Sequence, residues 1–177
     1  MLEGAALKRS EDIFWATLGE GSLVFAVAAI GWAIREPLIF ASLGPTAYEL
    51  VEMPQKRSAR AYNVIVGHLV GLGAGFLAIY VFNARSAPNV LSQGIVTSQR
   101  LWAAVIAATL TTLGTLLLKA SQPASLATTL LVSLGAMQTA HDALAIIAGV
   151  LIITALGEPI RRFRLKRTKL RPVVGPA

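Results

Sequence analysis

The chain has 177 residues, of which 55% are hydrophobic and 14% charged, with a mean hydropathy of +0.64. A water-soluble domain of this length has too little interior to hide so much apolar surface, so the composition points to a multi-pass α-helical membrane protein. The net charge of +7 is concentrated: seven of sixteen basic residues, Arg161, Arg162, Arg164, Lys166, Arg167, Lys169 and Arg171, follow the last apolar stretch, where they read as a cytoplasmic anchor for anionic headgroups rather than a nucleic-acid surface.

Residues 1–12 are expected to form an N-terminal cytoplasmic segment. Glu3, Glu11 and Asp12 beside Lys8 and Arg9 fit neither a cleaved signal peptide nor an Arg/Ser-rich transit peptide, so direct insertion into a prokaryotic inner membrane is expected. The chain has no cysteine, which removes disulfides and thiolate metal sites. No metal or cofactor is expected.

A first membrane half is expected over residues 13–82. It opens with the long apolar stretch Ile13–Ile34, which contains Glu20 between Gly19 and Gly21, and closes with Tyr62–Phe82, which carries no formal charge. Between them lies the short stretch Leu38–Val51, with Ser42-Leu-Gly-Pro45-Thr46 inside it. Residues 83–100 read as a connecting loop. A second half over 101–160 repeats the order: Leu101–Leu118, the short Ala124–Met137 beside Ser121-Gln-Pro123-Ala-Ser125, then Ala143–Gly157 with its flanks. Residues 161–177 are the basic tail.

Each short stretch has 14 residues, about 21 Å as a plain helix, against a hydrocarbon core of about 30 Å. Loop charges test whether they cross. With four spans and the C-terminus inside, Lys8, Arg9, Arg85 and Arg100 fall inside, and Arg35, Lys56, Arg57, Arg60 and Lys119 outside, against the positive-inside tendency. With six passes, six of these nine are inside and only Arg35, Arg85 and Arg100 outside. Six passes is the reading adopted, with both termini cytoplasmic. Three passes per half makes the halves an inverted pair, and paired short or Gly/Pro-broken segments mark the binding site of many transporters.

The two signatures read as helix starts. Pro fits a first turn, where its missing N–H has no partner to lose, and Ser or Gly suits the preceding cap. Such starts expose N–H groups and the positive end of a helix dipole, which together suit an anion. Ser42, Gly44, Thr46, Asn63, His68, Ser121, Gln122 and Ser125 are therefore the candidate solute-binding residues, with Thr128 and Thr129 as further donors. The alternative is two surface loops followed by ordinary helices. Gly67, Gly71 and Gly75 repeat every four residues and predict a helix-packing face. His68, on the same segment, is either a coupling group or half of an interhelical hydrogen bond; Glu20 is the second coupling candidate. Glu36, Glu49, Glu52 and Glu158 sit at stretch ends, where solvated or paired roles are expected, and His141-Asp142 reads as a cap. No nucleophile–base or metal-ligand spacing occurs, so no enzyme activity is expected.

Ser42-Leu-Gly-Pro-Thr46, Pro54, Asn63-Val-Ile-Val-Gly67-His68 and Ser121-Gln-Pro123-Ala-Ser125 together resemble the HPP family of integral membrane proteins over about residues 15–160. That resemblance implies a membrane bundle, usually described with four transmembrane helices, and some members are associated with nitrite transport. The chain keeps Ser42, Gly44, Asn63, Gly67 and His68. It departs at the motif that names the family, where Ser121-Gln122-Pro123 replaces His-Pro-Pro, and at Val66, which replaces a glycine. The expected function is transport of a nitrite-like small anion by a homodimer, bound at two opposed helix starts. The alternative is a non-transporting membrane anchor, assembly or sensor module acting through its glycine face and basic tail.

Overall fold

A computed structural model describes the backbone of residues 2–169 and the side chains of residues 11–166. Arg171 lies outside the described residues, as do the side chains of Glu3, Lys8, Arg9, Arg167 and Lys169. Among the described residues all regular structure is helical: α1 (Leu2–Ile34), α2 (Leu43–Glu52), α3 (Ala61–Val81), a single 3-10 turn (Ala84–Ser86), α4 (Val90–Gln93), α5 (Ser98–Leu117), α6 (Ala124–Ser133) and α7 (Ala140–Lys169). Four stretches have membrane-spanning length and hydropathy: Glu11–Ile34, Ala61–Val81, Ser98–Leu117 and Ala140–Lys166. The protein is a multi-pass helical membrane protein. Helix α1 runs on through residues 2–12 and α7 through 161–169, so neither end segment is set apart from its helix.

The short stretches are half helix and half irregular chain. Helices α2 and α6 have 10 residues each, about 15 Å, or half of a hydrocarbon core. Residues 38–42 precede α2 without being helical, and Gly135–Met137 lie beyond the end of α6.

Helices α1 and α5 end in the same way. Arg35 (φ 57) and Lys119 (φ 53) occupy the left-handed region. The N–H of Glu36 then donates to the Gly31 carbonyl (2.9 Å) and that of Arg35 to Trp32 (3.3 Å); Ala120 donates to Thr115 (2.8 Å) and Lys119 to Leu116 (3.1 Å). This is the Schellman pattern, which satisfies the last carbonyls and turns the chain sharply away from the helix axis. Each turn sends the chain back into the bundle, first extended and then as a half-helix.

Contacts give the direction of each passage. At one end of the bundle Arg164 meets Asp12 (3.5 Å), and Arg161 Nη1 donates to the Pro54 carbonyl (2.9 Å). At the other, His141 Nε2 lies 2.9 Å from Glu36 Oε2. Between these ends, segment 35–52 follows α7: Gly149 faces Leu38 and Leu43, and Gly157 faces Leu50. Segment 118–133 follows α3 in the same manner. Gly67 faces Ala120 and Gln122, Gly71 faces Ser125, and Gly75 faces Val132. Since α3 begins beside the Asp12–Arg164 end and α7 terminates there, the two broken segments run in opposite senses, each through the depth of the bundle.

Glycine makes that fit possible. A Cβ on Gly71 would lie 2.6 Å from the Ser125 carbonyl oxygen, and one on Gly149 equally close to that of Leu38. Where water is absent, close backbone approach and dispersion replace the hydrophobic effect as the source of helix association.

Candidate functional site

The two broken segments meet through four side chains in the interior. Ser42 stands at the start of α2, Thr46 one turn along it, Thr128 in the second turn of α6, and His68 on the face of α3 between them. Their exposures are 0%, 0%, 0% and 1%. Ser42 Oγ lies 2.8 Å from Thr128 Oγ1, His68 Nδ1 2.7 Å from that same oxygen, and His68 Nε2 3.0 Å from Thr46 Oγ1. Thr46 Oγ1 also donates to the Ser42 carbonyl at 2.9 Å.

Counting protons orients the network. Thr46 has one hydroxyl proton; given to the Ser42 carbonyl, it leaves Nε2 of His68 as the donor to Thr46. Nδ1 is then the acceptor, served by Thr128, which in turn accepts from Ser42. The result is a ring of hydrogen bonds leaving the Ser42 hydroxyl, passing through Thr128, His68 and Thr46, and returning to the Ser42 backbone carbonyl. Every member is satisfied, as a buried polar network requires. The Ser42 hydroxyl makes no capping bond to α2. It is committed to the ring, which differs from the cap expected at this position.

The start of α6 is built from its own turn. Pro123 takes the cap position, Gln122 Oε1 accepts from the Ala124 N–H (3.4 Å), and Ser125 Oγ donates to the Gln122 carbonyl (2.6 Å). Gln122 is 2% exposed, and its Nε2 has no hydrogen-bond partner. Asn63 Nδ2 donates to the carbonyls of Ser121 (3.1 Å) and Lys119 (3.5 Å), so it braces the extended chain ahead of α6. Tyr62 assists, its hydroxyl donating to the Leu118 carbonyl (3.0 Å). A second hydroxyl pair, Thr111 and Thr129 (2.8 Å), ties α6 to α5.

The remaining candidates lie apart from the ring. Ser121 is exposed and contributes its carbonyl, not its hydroxyl, to Asn63. Gly44 is half-buried and opens on a cleft of about 370 Å³ between α1 and α2, lined otherwise by apolar residues such as Val24, Val27 and Phe40. Glu20 is half-buried on α1, outside the ring. Among the described residues no group of three or more His, Asp or Glu could hold a metal ion. Ahead of α7, Thr139 is the cap. Its Oγ1 accepts from the Asp142 N–H, while Asp142 Oδ2 accepts from Thr139 and Gln138, a reciprocal box that replaces the His141–Asp142 cap.

Arginines close the far ends of both half-helices, a feature that charge counting alone misses. Arg100 is fully buried. Its Nε donates to the Pro88 carbonyl, Nη1 to that of Ser133 at the end of α6, and Nη2 to that of Ala87 and to Gln138 Oε1. Gly135 (φ 92) ends α6, and a Cβ there would fall onto the guanidinium. At the end of α2, Arg164 Nε donates to the Val51 carbonyl (3.2 Å) and Arg161 to that of Pro54. These cations meet the negative ends of the two helix dipoles. Arg161 and Arg164 are thus structural as well as part of the basic tail.

A family model described as HPP, transmembrane region, matches residues 6–168 of the chain. No curated protein and no solved structure matches it.

Proposed function

The chain belongs to the HPP transmembrane family, and on that premise we propose that it carries a small anion of the nitrite class across a membrane. The ring that joins Ser42 and Thr46 of one broken segment to Thr128 of the other through His68 is the observation that carries this reading. It is neutral, donor-rich and set at the start of α2, against the second turn of α6. Outside the ring, Gly44 faces a cleft at α2, and the buried Gln122 amide at the start of α6 has hydrogens to offer. An anion entering here displaces hydroxyl–hydroxyl bonds and takes up the donors they release, aided by the positive end of α2. One half then rocks against the other about the fixed site. The ring as described is the closed state.

Of the two coupling candidates, His68 is the one inside the ring. A proton on Nδ1 removes the acceptor that Thr128 serves and makes both ring nitrogens donors. Nδ1 then donates to Thr128, whose own proton is left without an acceptor in the ring; the links across α6 are forced to rearrange, which connects proton uptake to release of the broken segments. The Asp12–Arg164 end, with Lys56, Arg57, Arg60 and Lys119, is assigned to the cytoplasm of a cell inner membrane, and the end with Arg35, Arg85 and Arg100 to the opposite side.

The test is flux in liposomes containing the purified protein, with nitrite, nitrate, formate and chloride, and with or without a pH gradient. Saturable movement of one anion is expected, abolished by Ser42→Ala combined with Thr128→Val and preserved in Ser121→Ala. His68→Gln is expected to remove the response to the pH gradient. Absence of flux and of anion binding in folded protein would overturn the reading in favour of a non-transporting module.

A further inference from the structure

A groove between α3 and α7 begins at His68 and runs down to the Asp12–Arg164 end. Its deep part, about 120 Å³, is lined by Ile65, Leu69, Leu72, Ile146 and Val150, with the imidazole as its only polar wall. Its wider lower part, about 660 Å³, continues past Ala61, Ala155 and Pro159 to Glu158 and Arg162. Ile65 and Leu151 line both parts, so the two are continuous. The groove opens sideways, since Leu69 and Leu151 are 45% and 47% exposed.

From Ile146 to Arg162 the groove follows 17 residues of α7, about 24 Å from first to last, which is one leaflet of hydrocarbon with its interface. Polarity is graded along that length: apolar at depth, cationic at the mouth. Arg162 is 72% exposed, and its Nε donates to Glu158 at 2.8 Å. Glu158 is already held by Arg161 at 2.7 Å, so one carboxylate faces two guanidinium groups and a net positive charge remains. Arg60, exposed, adds another cation where α3 begins. Pro159 has no N–H to return to the Ala155 carbonyl one turn earlier, which leaves an acceptor on the groove wall for a headgroup hydroxyl.

We propose that this groove binds one anionic phospholipid, with an acyl chain between Ile65 and Leu151 reaching the His68 ring edge and the phosphate at Arg162 and Arg60. The chain length, the lateral opening and the charge at the mouth fit a lipid and no soluble anion. Both nitrogens of His68 are engaged in the ring, so the lipid meets only its carbon edge. An acyl chain there stiffens the α3–α7 wall behind the ring.

Native mass spectrometry of the purified protein with phosphatidylglycerol and phosphatidylcholine, offered at equal concentration, tests the site. One phosphatidylglycerol is expected to be retained at least 5-fold over phosphatidylcholine. Arg162→Gln with Arg60→Gln is expected to remove that preference, and Leu151→Trp, which fills the groove from its exposed side, to remove retention of both. Equal retention of the two lipids, or phosphatidylglycerol retention unchanged in Leu151→Trp, overturns the proposal. So does a shift of Leu151→Trp from dimer to monomer with no change in lipid, which makes the groove a contact between copies. Inorganic phosphate at millimolar concentration is expected not to compete; displacement of the lipid by it would mean a phosphate site without an acyl component.

Discussion

Segments 35–52 and 118–133 share one plan and differ in what they bury. Each leaves a helix through a Schellman turn on a left-handed cation, runs extended, and ends in a ten-residue helix laid on the glycine face of a long partner. The first buries mainly hydrocarbon: Leu38, Phe40, Leu43, Ala47, Leu50 and Val51, with Ser42 and Thr46 as its polar insertions. The second buries mainly polar side chains, Gln122, Ser125, Thr128, Thr129 and Ser133, with the smaller apolar Ala120, Ala124 and Val132. The first is therefore held by apolar contact with α1 and α7, and the second by hydrogen bonds to α3 and α5 as well as by packing. One architecture serves as an anchor on one side and as a polar wall on the other, and the ring joins them at the point where their characters meet.

The largest expected contrast is at the carbonyl ends. Arg100→Leu strips a fully buried set of carbonyls of their donor, and losing charged hydrogen bonds at this depth costs about 3–5 kcal/mol. Arg161→Leu, which acts on Pro54 and on a Glu158 still held by Arg162, is expected to cost about 1 kcal/mol, because Glu158 keeps a second guanidinium and only one carbonyl loses its donor. Denaturation in graded detergent, followed by Trp fluorescence, measures both; equal losses would erase the contrast.

A methyl on each glycine face probes packing next. Gly71→Ala meets backbone oxygen, whereas Gly157→Ala meets the flexible end of Leu50. Overpacking of about 1–3 kcal/mol is expected for Gly71→Ala. Gly157→Ala is expected to be near neutral, since Leu50 yields and alanine recovers about 1 kcal/mol of helix propensity. Gly149→Ala, which faces the Leu38 carbonyl, should behave like Gly71→Ala. Thermal unfolding of the three variants ranks them, and a Gly157 variant as unstable as the Gly71 variant would mean Leu50 is fixed.

Smaller effects follow within the ring and the turns. Thr128→Val removes two hydrogen bonds between segments, and interhelical bonds in membranes average about 0.6 kcal/mol, so a loss of about 1 kcal/mol is expected. His68→Gln in the same background should cost little more, because the ring is already open; additive losses would show that the two act independently. Lys119→Gly relieves a left-handed lysine worth about 1 kcal/mol and is expected to raise the midpoint slightly.

Much of the fold was legible because lipid imposes strong rules. Four membrane-length helices follow from apolar length, and the passage of both short stretches through the bundle puts Lys56, Arg57, Arg60 and Lys119 at one end of it, as the charge count grouped them. The glycine repeat on α3 was visible as spacing. Its counterpart on α7 was not, because Gly149 and Gly157 stand eight residues apart and only contact with segment 35–52 makes them a pair. His68 was legible as an intramembrane ionisable residue, and Ser42, Thr46 and Thr128 as donors at the two helix starts, without their being assigned to His68. Ser121 was indistinguishable from them in composition, yet the turn of the extended chain leaves its hydroxyl outside.

By itself, then, the sequence determined a helical membrane bundle, its two interrupted segments and the glycine face of α3, since hydropathy, Pro/Gly placement and four-residue spacing are local and periodic signals. Only the tertiary structure decided which partners those signals receive. Arg100 reads as one basic loop residue until the ends of α6 and the Ala87–Pro88 turn converge on its guanidinium. The Ser42 hydroxyl reads as a cap until Thr128, 86 residues away, comes within 2.8 Å. Hydrogen-bond partnership is a property of distance in space, and two segments passing in opposite senses through one bundle bring together residues that no stretch of sequence holds side by side.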